Sequence, residues 1–215
     1  MNKTHFVIAI LSVFLLYSQA LSQTDEVPKF EVGVEFTTLE RDNFSGKRTE
    51  PGFGGRFTYN LNRVLSLESA GYFFPKRCNS CRNNGNVTEV LGGVKVGKRF
   101  EHWGIFAKAR PGVVSFSQGD LEIRRVPATP ALPIEFEFNR LNSFAADIGG
   151  VVEFYCSKRI VTRFDAGDTI IHFRNQERQI IIFDPATSTS NLIPFRIPAR
   201  TAHNFQFVAS FGFRF

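Results

Sequence analysis

The C-terminal stretch alternates with a period of two: Phe205, Phe207, Ala209, Phe211, Phe213 and Phe215 share one face, and Asn204, Gln206, Ser210, Gly212 and Arg214 share the other. Successive side chains of a β-strand point to opposite sides, so this is the pattern of a strand with one apolar face. The segment Phe30, Val32, Val34, Phe36 set against Glu31, Gly33, Glu35, Thr37 repeats it. After residue 22 no run approaches the ~20 consecutive apolar residues of a membrane-spanning helix. With 21% charged residues and a mean hydropathy of −0.10, a bundle of membrane helices is excluded.

The alternation predicts eight strands, over 30–39, 53–61, 64–74, 88–97, 103–116, 143–155, 160–173 and 202–215. The connections between them read long, short, long, short, long, short, long. A barrel that crosses a membrane has this asymmetry, with tight turns on one rim and extended loops on the other, and an even strand count leaves both termini at the tight-turn rim. The polar faces carry charges of both signs: Glu31, Glu35, Glu68, Glu89, Asp147, Glu153 and Asp165 against Arg56, Lys95, Lys108, Arg110, Arg163 and Arg214. A narrow lumen needs such a balance, because a charge taken from water is tolerated only when paired and hydrogen-bonded. Eight strands leave an interior just wide enough for side chains to fill. The predicted fold is therefore all-β: an eight-stranded antiparallel transmembrane β-barrel in an up-and-down meander. A secreted sandwich, with the charged face in water, is the competing fold, and the loop alternation speaks against it.

Residues 1–22 carry Lys3, an apolar run over 6–17, and small residues at Ala20 and Ser22. This is the layout of a secretory signal peptide, too short to span a membrane as an anchor. Cleavage there leaves 193 residues (215 less 22) with a net charge of +5 (+6 less Lys3). The expected organisation is a signal peptide over 1–22, a short lead over 23–29 and a barrel domain over 30–215.

The segment Phe207-Val-Ala-Ser-Phe211-Gly-Phe213-Arg-Phe215 resembles the last strand of bacterial outer-membrane barrels, which ends in an aromatic residue with apolar residues at alternate positions before it. Gly54–Asn62, Leu65–Phe74 and Gly92–Phe100 resemble small eight-stranded domains of the OmpA/OmpX type. The resemblance implies export through the periplasm to the bacterial outer membrane, and recognition of Phe211, Phe213 and Phe215 by the outer-membrane assembly machinery. No residues follow this strand in the sequence, so the peptidoglycan-binding domain of longer relatives is expected to be absent.

Trp103, Phe100 and Tyr155 fall beside the short turns, and Tyr72, Phe73, Phe116 and Phe173 beside the long loops, as two interfacial girdles would require. In the seventh strand the alternation sends Asp168 outward, and a bulge at Gly167-Asp168 is expected to turn it in. Cys78 and Cys81 in the second long loop fit a local disulfide in an oxidising compartment better than zinc or redox chemistry, which would need further ligands or a helix N-terminus. Cys156, at a tight turn on the other rim, is expected to be unpaired.

His102, His172 and His203 lie at strand ends, none with a Ser two residues on or a carboxylate in evident reach. The sequence predicts no catalytic residue, metal site or cofactor. The four long loops carry 13 basic residues against 9 acids, and a basic outer rim would suit the phosphates of lipopolysaccharide. Ile134–Phe138 and Gln179–Phe183 alternate within loops three and four, so strands are expected to continue beyond the membrane, with the two extensions pairing with each other. The functional expectation is a monomeric barrel with a structural, adhesive or envelope-integrity role and long loops as its binding surface. It has no nucleic-acid partner. A small channel and a lipid-modifying enzyme are the alternatives.

Overall fold

A computed structural model describes residues 27–43, 46–75, 85–125, 134–184 and 189–215. The strands are β1 (Phe30–Asn43), β2 (Gly46–Asn60), β3 (Leu65–Phe74), β4 (Val87–Arg99), β5 (Trp103–Arg125), β6 (Ile134–Tyr155), β7 (Ile160–Phe173), β8 (Gln176–Asp184), β9 (Thr189–Ile197) and β10 (Arg200–Arg214). Eight of them close an antiparallel barrel in the order β1-β10-β7-β6-β5-β4-β3-β2, while β8 and β9 form a separate two-stranded sheet. Each neighbour pair in the wall is adjacent in sequence, apart from the excursion through β8 and β9 and the closing seam. At that seam Phe30 and Phe215 exchange two backbone hydrogen bonds, both 2.9 Å.

The period of two sets which side of the wall each residue faces. Val32, Val34, Phe36, Phe53, Phe57, Val90, Ile105, Phe144, Ile148, Phe164, Phe205, Phe207, Phe211 and Phe213 stand exposed on the outside, while the charged partners in the alternation are buried inside. This inverts the arrangement of a water-soluble sandwich and is the one a hydrocarbon surrounding demands.

The strands outrun the expected ones at the long-loop end. β1 and β2 pair as far as Asn43↔Gly46, although Pro51 and Gly52 carry turn chemistry. Pro51 is tolerated because the β2–β3 ladder begins only at Phe53↔Phe73, so one side of β2 has no neighbour awaiting a donor there. β5 and β6 continue past Phe116↔Leu141, shift register around residues 117–119, and resume from Asp120↔Asn139 to Arg125↔Ile134. The ladder of β8 with β9 runs from Gln176↔Ile197 to Asp184↔Thr189. The two alternating extensions thus each fold back within their own loop instead of pairing with one another, because each has a complementary strand a few residues away in sequence.

Pro111 sits within β5, and the β4–β5 ladder skips from Leu91↔Gly112 to Val94↔Ala109 around it. Gly93 faces this gap, where a Cβ would meet the Ala109 carbonyl and lie 2.7 Å from Arg110 Cα. Both are backbone and cannot swing away. Gly93→Ala is expected to destabilise the folded barrel by about 1–3 kcal/mol, read as a lower urea midpoint in detergent; an unchanged midpoint would mean that the two strands can part at no cost.

Candidate functional site

The thirteen residues of the expected lumen network all point inward, each 7% exposed or less. Glu68 is the hub. Arg163 grips it with both terminal guanidinium nitrogens, Nη1 and Nη2, the latter at 3.0 Å, and Lys95 (3.3 Å), Arg110 (3.8 Å) and Arg56 (3.9 Å) surround it. Arg163 also forks onto Asp165 at 2.5 and 2.8 Å. Lys95 pairs with Glu153, and Lys108 bridges Asp147 (2.8 Å) and Asp165 (3.2 Å). Arg110 donates twice to Asp147, at 2.8 and 2.5 Å, and Arg56 donates to Glu35 at 2.9 Å with Glu31 at 3.5 Å.

Two of the thirteen are placed differently. Glu89 accepts a hydrogen bond from Gln206 (3.0 Å), itself tied to Thr37 and Thr169. Arg214 turns to the Ser157 carbonyl (3.1 Å) and stacks 4.3 Å over Tyr155.

Sequence reasoning missed Arg99, because the fourth strand was expected to stop at 97. Its guanidinium donates to Asn60 Oδ1 (2.6 Å) and Ser66 (3.2 Å) and lies 3.9 Å from Glu31. Continuing the alternation one more step would have found it. Also missed was an apolar cap over the charges: Leu39, Phe74, Val87, Leu91, Val114, Phe116, Ala145, Ile171 and Val208 form a buried cluster with Leu141 and Phe173 against it. The register Phe74↔Val87↔Phe116↔Leu141 puts this cap at the long-loop end. The lumen is filled in two layers, salt-bridged in its middle and apolar at its outer mouth.

The cap corrects the expected girdles. Tyr72, Phe116, Phe173 and Tyr155 face inward: Tyr72 donates to Glu35 (2.6 Å), Phe116 packs 5.6 Å from Phe173, and Tyr155 donates to Glu153 (3.1 Å). Phe100 and Trp103 stack outside at 4.3 Å, and Phe73 meets Phe53 at 5.7 Å.

Asp168 provides a second correction. The ladders run through it without a bulge, Ile148↔Asp168 on one side and Asp168↔Phe205 on the other, so it stays outward. Its carboxylate is instead satisfied by His203 Nδ1 (2.6 Å) and the Asn204 N–H (3.0 Å). His203 therefore has the orienting carboxylate that the sequence did not reveal, since the two residues meet only once β7 and β10 are in register. His172 Nδ1 lies 3.3 Å from Thr201 Oγ1, and His102 is exposed at a turn, 4.0 Å from Glu101.

Cys156 is exposed and free, 3.5 Å from Thr162 Oγ1. Cys78, Cys81 and residues 1–22 lie outside the described residues. Among the described residues no group of three His, Cys, Asp or Glu side chains could hold a metal ion.

The closed eight-stranded wall is shared with solved structures. Neisserial surface protein A matches over 87% of this chain and 97% of its own, with a TM-score of 0.54 at 10% identity. The fold is that of the small outer-membrane barrels. Ail, the attachment invasion locus protein of Yersinia pestis, covers 88% of this chain and 100% of its own at 12% identity and a TM-score of 0.48. The N-terminal barrel domain of Pseudomonas aeruginosa OprF covers 86% and 97% at 11% and 0.43. No family model and no curated protein sequence matches the chain.

Proposed function

We propose that the chain is an integral barrel of the bacterial outer membrane, exported behind a cleaved signal peptide over residues 1–22, with a structural or surface-interaction role exercised through its long loops. The observation that carries this reading is the filled lumen beneath a continuous apolar outer wall. Arg110, Arg163 and Lys95 are withdrawn from water and their charges are spent on Asp147, Glu68, Asp165 and Glu153, so the interior serves as a rigid core. A solute path would have to break the network and part the apolar cap, which opposes the channel reading.

On the outside of the wall, Phe205 to Phe215 are ten residues apart, which at ~3.3 Å per residue and a tilt of ~40° spans about 25 Å, the height of an outer-membrane apolar band. Beyond it β5–β6 and β8–β9 stand as paired ribbons, and loops on a rigid scaffold are where recognition is carried. Ile180, Ile182, Ile193 and Phe195 share one face of the β8–β9 ribbon and are exposed. A basic rim supports contact with lipopolysaccharide phosphates, and Phe211, Phe213 and Phe215 support recognition by the assembly machinery.

The test is gel mobility of boiled against unboiled protein in detergent, alongside far-UV circular dichroism. A heat-shifted band with a β spectrum is expected. A chain that folds in buffer without detergent would overturn the reading.

A further inference from the structure

The outward side of β7 and β10 changes character near its upper end. Phe164, Phe207, Phe205 and Phe211 make it apolar, but Asp168 stands across the ladder from Phe205, and His203, His172 and Thr201 follow on the same side. By the spacing above, His203 lies just beyond the outer border of the apolar band, at the depth where a leaflet presents its headgroups. The polar groups facing out there are the His203 and His172 rings and the Thr201 hydroxyl, with Ile170 across the ladder from His203. Both Asp168 oxygens are engaged within the protein, one by His203 Nδ1 and one by the Asn204 N–H. The carboxylate thereby fixes the ring, and the other edge of the imidazole is free in a side chain that is 67% exposed. His172 holds the Thr201 hydroxyl beside it, and Arg174, two residues further on, is exposed. The ladder between β1 and β10 ends at Leu39↔Gln206, so next to His203 the wall has an open strand edge.

We propose that this strip is a docking site on the lipid-facing wall for the phosphate group of an outer-leaflet lipid headgroup. His203, His172, Thr201 and Arg174 supply its donors, and Asp168 acts as a positioning residue. The inference rests on the membrane reading above. A phosphate fits because a guanidinium, and each imidazole in its imidazolium form, donates to phosphate oxygens, and such charge-assisted bonds are the strong ones. The phosphate could belong to a phosphorylated glycolipid or to a glycerophospholipid; the chemistry at the wall is the same.

The experiment takes the protein purified from membranes in a zwitterionic detergent and freed of lipid. It titrates the protein separately with diphosphoryl lipid A, phosphatidylglycerol and the same glycolipid lacking both phosphates, counting retained lipid by native mass spectrometry. One of the two phosphorylated lipids is expected to bind at least about tenfold more tightly than the dephosphorylated one, which identifies the source. His172→Asn with His203→Asn is expected to lower retention about tenfold, and Asp168→Asn to lower it through the freed ring. Thr201→Val, a milder change, is read in parallel in case the double variant fails to fold. Every variant is first required to show the heat-shifted band. Retention equal to the unmodified protein in variants that keep the band overturns the site, as does equal binding of the dephosphorylated glycolipid. Loss of the band in the unmodified protein overturns the membrane reading instead, so the two failures are distinguishable.

Discussion

Arg163→Ala is expected to lower the unfolding free energy of the detergent-folded barrel by about 3–5 kcal/mol. The substitution strips Glu68 and Asp165 of their forked partner at the centre of the lumen, leaving Lys95 at 3.3 Å and Lys108 at 3.2 Å as the nearest cations, and removing one member of a buried ion-pair network costs far more than the pair contributes. Urea or thermal unfolding followed by loss of the fast-migrating band measures it. Arg110→Ala, which strips Asp147 of two hydrogen bonds, is expected to act in the same direction. Arg82→Ala, between β3 and β4 in sequence and outside the lumen network, is expected to change nothing beyond about 0.5 kcal/mol. Combining Arg163→Ala with Glu68→Gln removes one of the stranded charges, and recovery of part of the loss is expected. Strict additivity, or a loop variant as damaging as the lumen ones, would refute the inward network.

The second large effect concerns assembly in the cell. Deleting Phe215 and replacing Phe211 and Phe213 by Ala is expected to cut the amount of membrane-inserted barrel on the order of tenfold, a yield set by recognition during assembly. Phe36→Ala with Phe144→Ala is the comparison, since those side chains are 71% and 56% exposed on the same wall. If the two sets of substitutions impair insertion equally, the C-terminal phenylalanines are wall residues and no more. If only the C-terminal set does so while refolding in detergent survives, they are read as a signal. Phe215 contributes structurally as well, through the backbone pairing with Phe30 that closes the cylinder.

Much of this architecture could be read from the chain because a strand has one simple periodicity, and here the two faces differ sharply in chemistry. Phe205 to Phe215 and Phe30 to Phe36 declare their outward side without help from tertiary context. Reading failed where the answer lies across the sheet. Arg99 was lost by ending a strand two residues early, and the extension of β2 was hidden behind Pro51 and Gly52, whose turn chemistry is harmless at an unpaired edge. The apolar cap escaped because Leu39, Phe74 and Phe116 look alike as sequence whether they face lipid or seal a mouth. Asp168 was expected to be rescued by a bulge, a local remedy, whereas the structure rescues it with a histidine 35 residues away. Register, which depends on the whole wall, was the missing information.

One feature of that register reaches beyond the barrel. The β7–β10 ladder ends at Phe173↔Arg200, and after two residues on each strand the β8–β9 ladder resumes at Gln176↔Ile197 in the same phase. The two ladders therefore keep one register, and the last nine pairs form a mast about 26 Å long at ~3.3 Å per residue. A sequence inserted between Asp184 and Thr189 would be carried at the top of that mast, with its distance from the wall set by pairing and not by loop length. The chemistry at the tip can then vary freely across variants while the place at which a passing surface meets it stays constant.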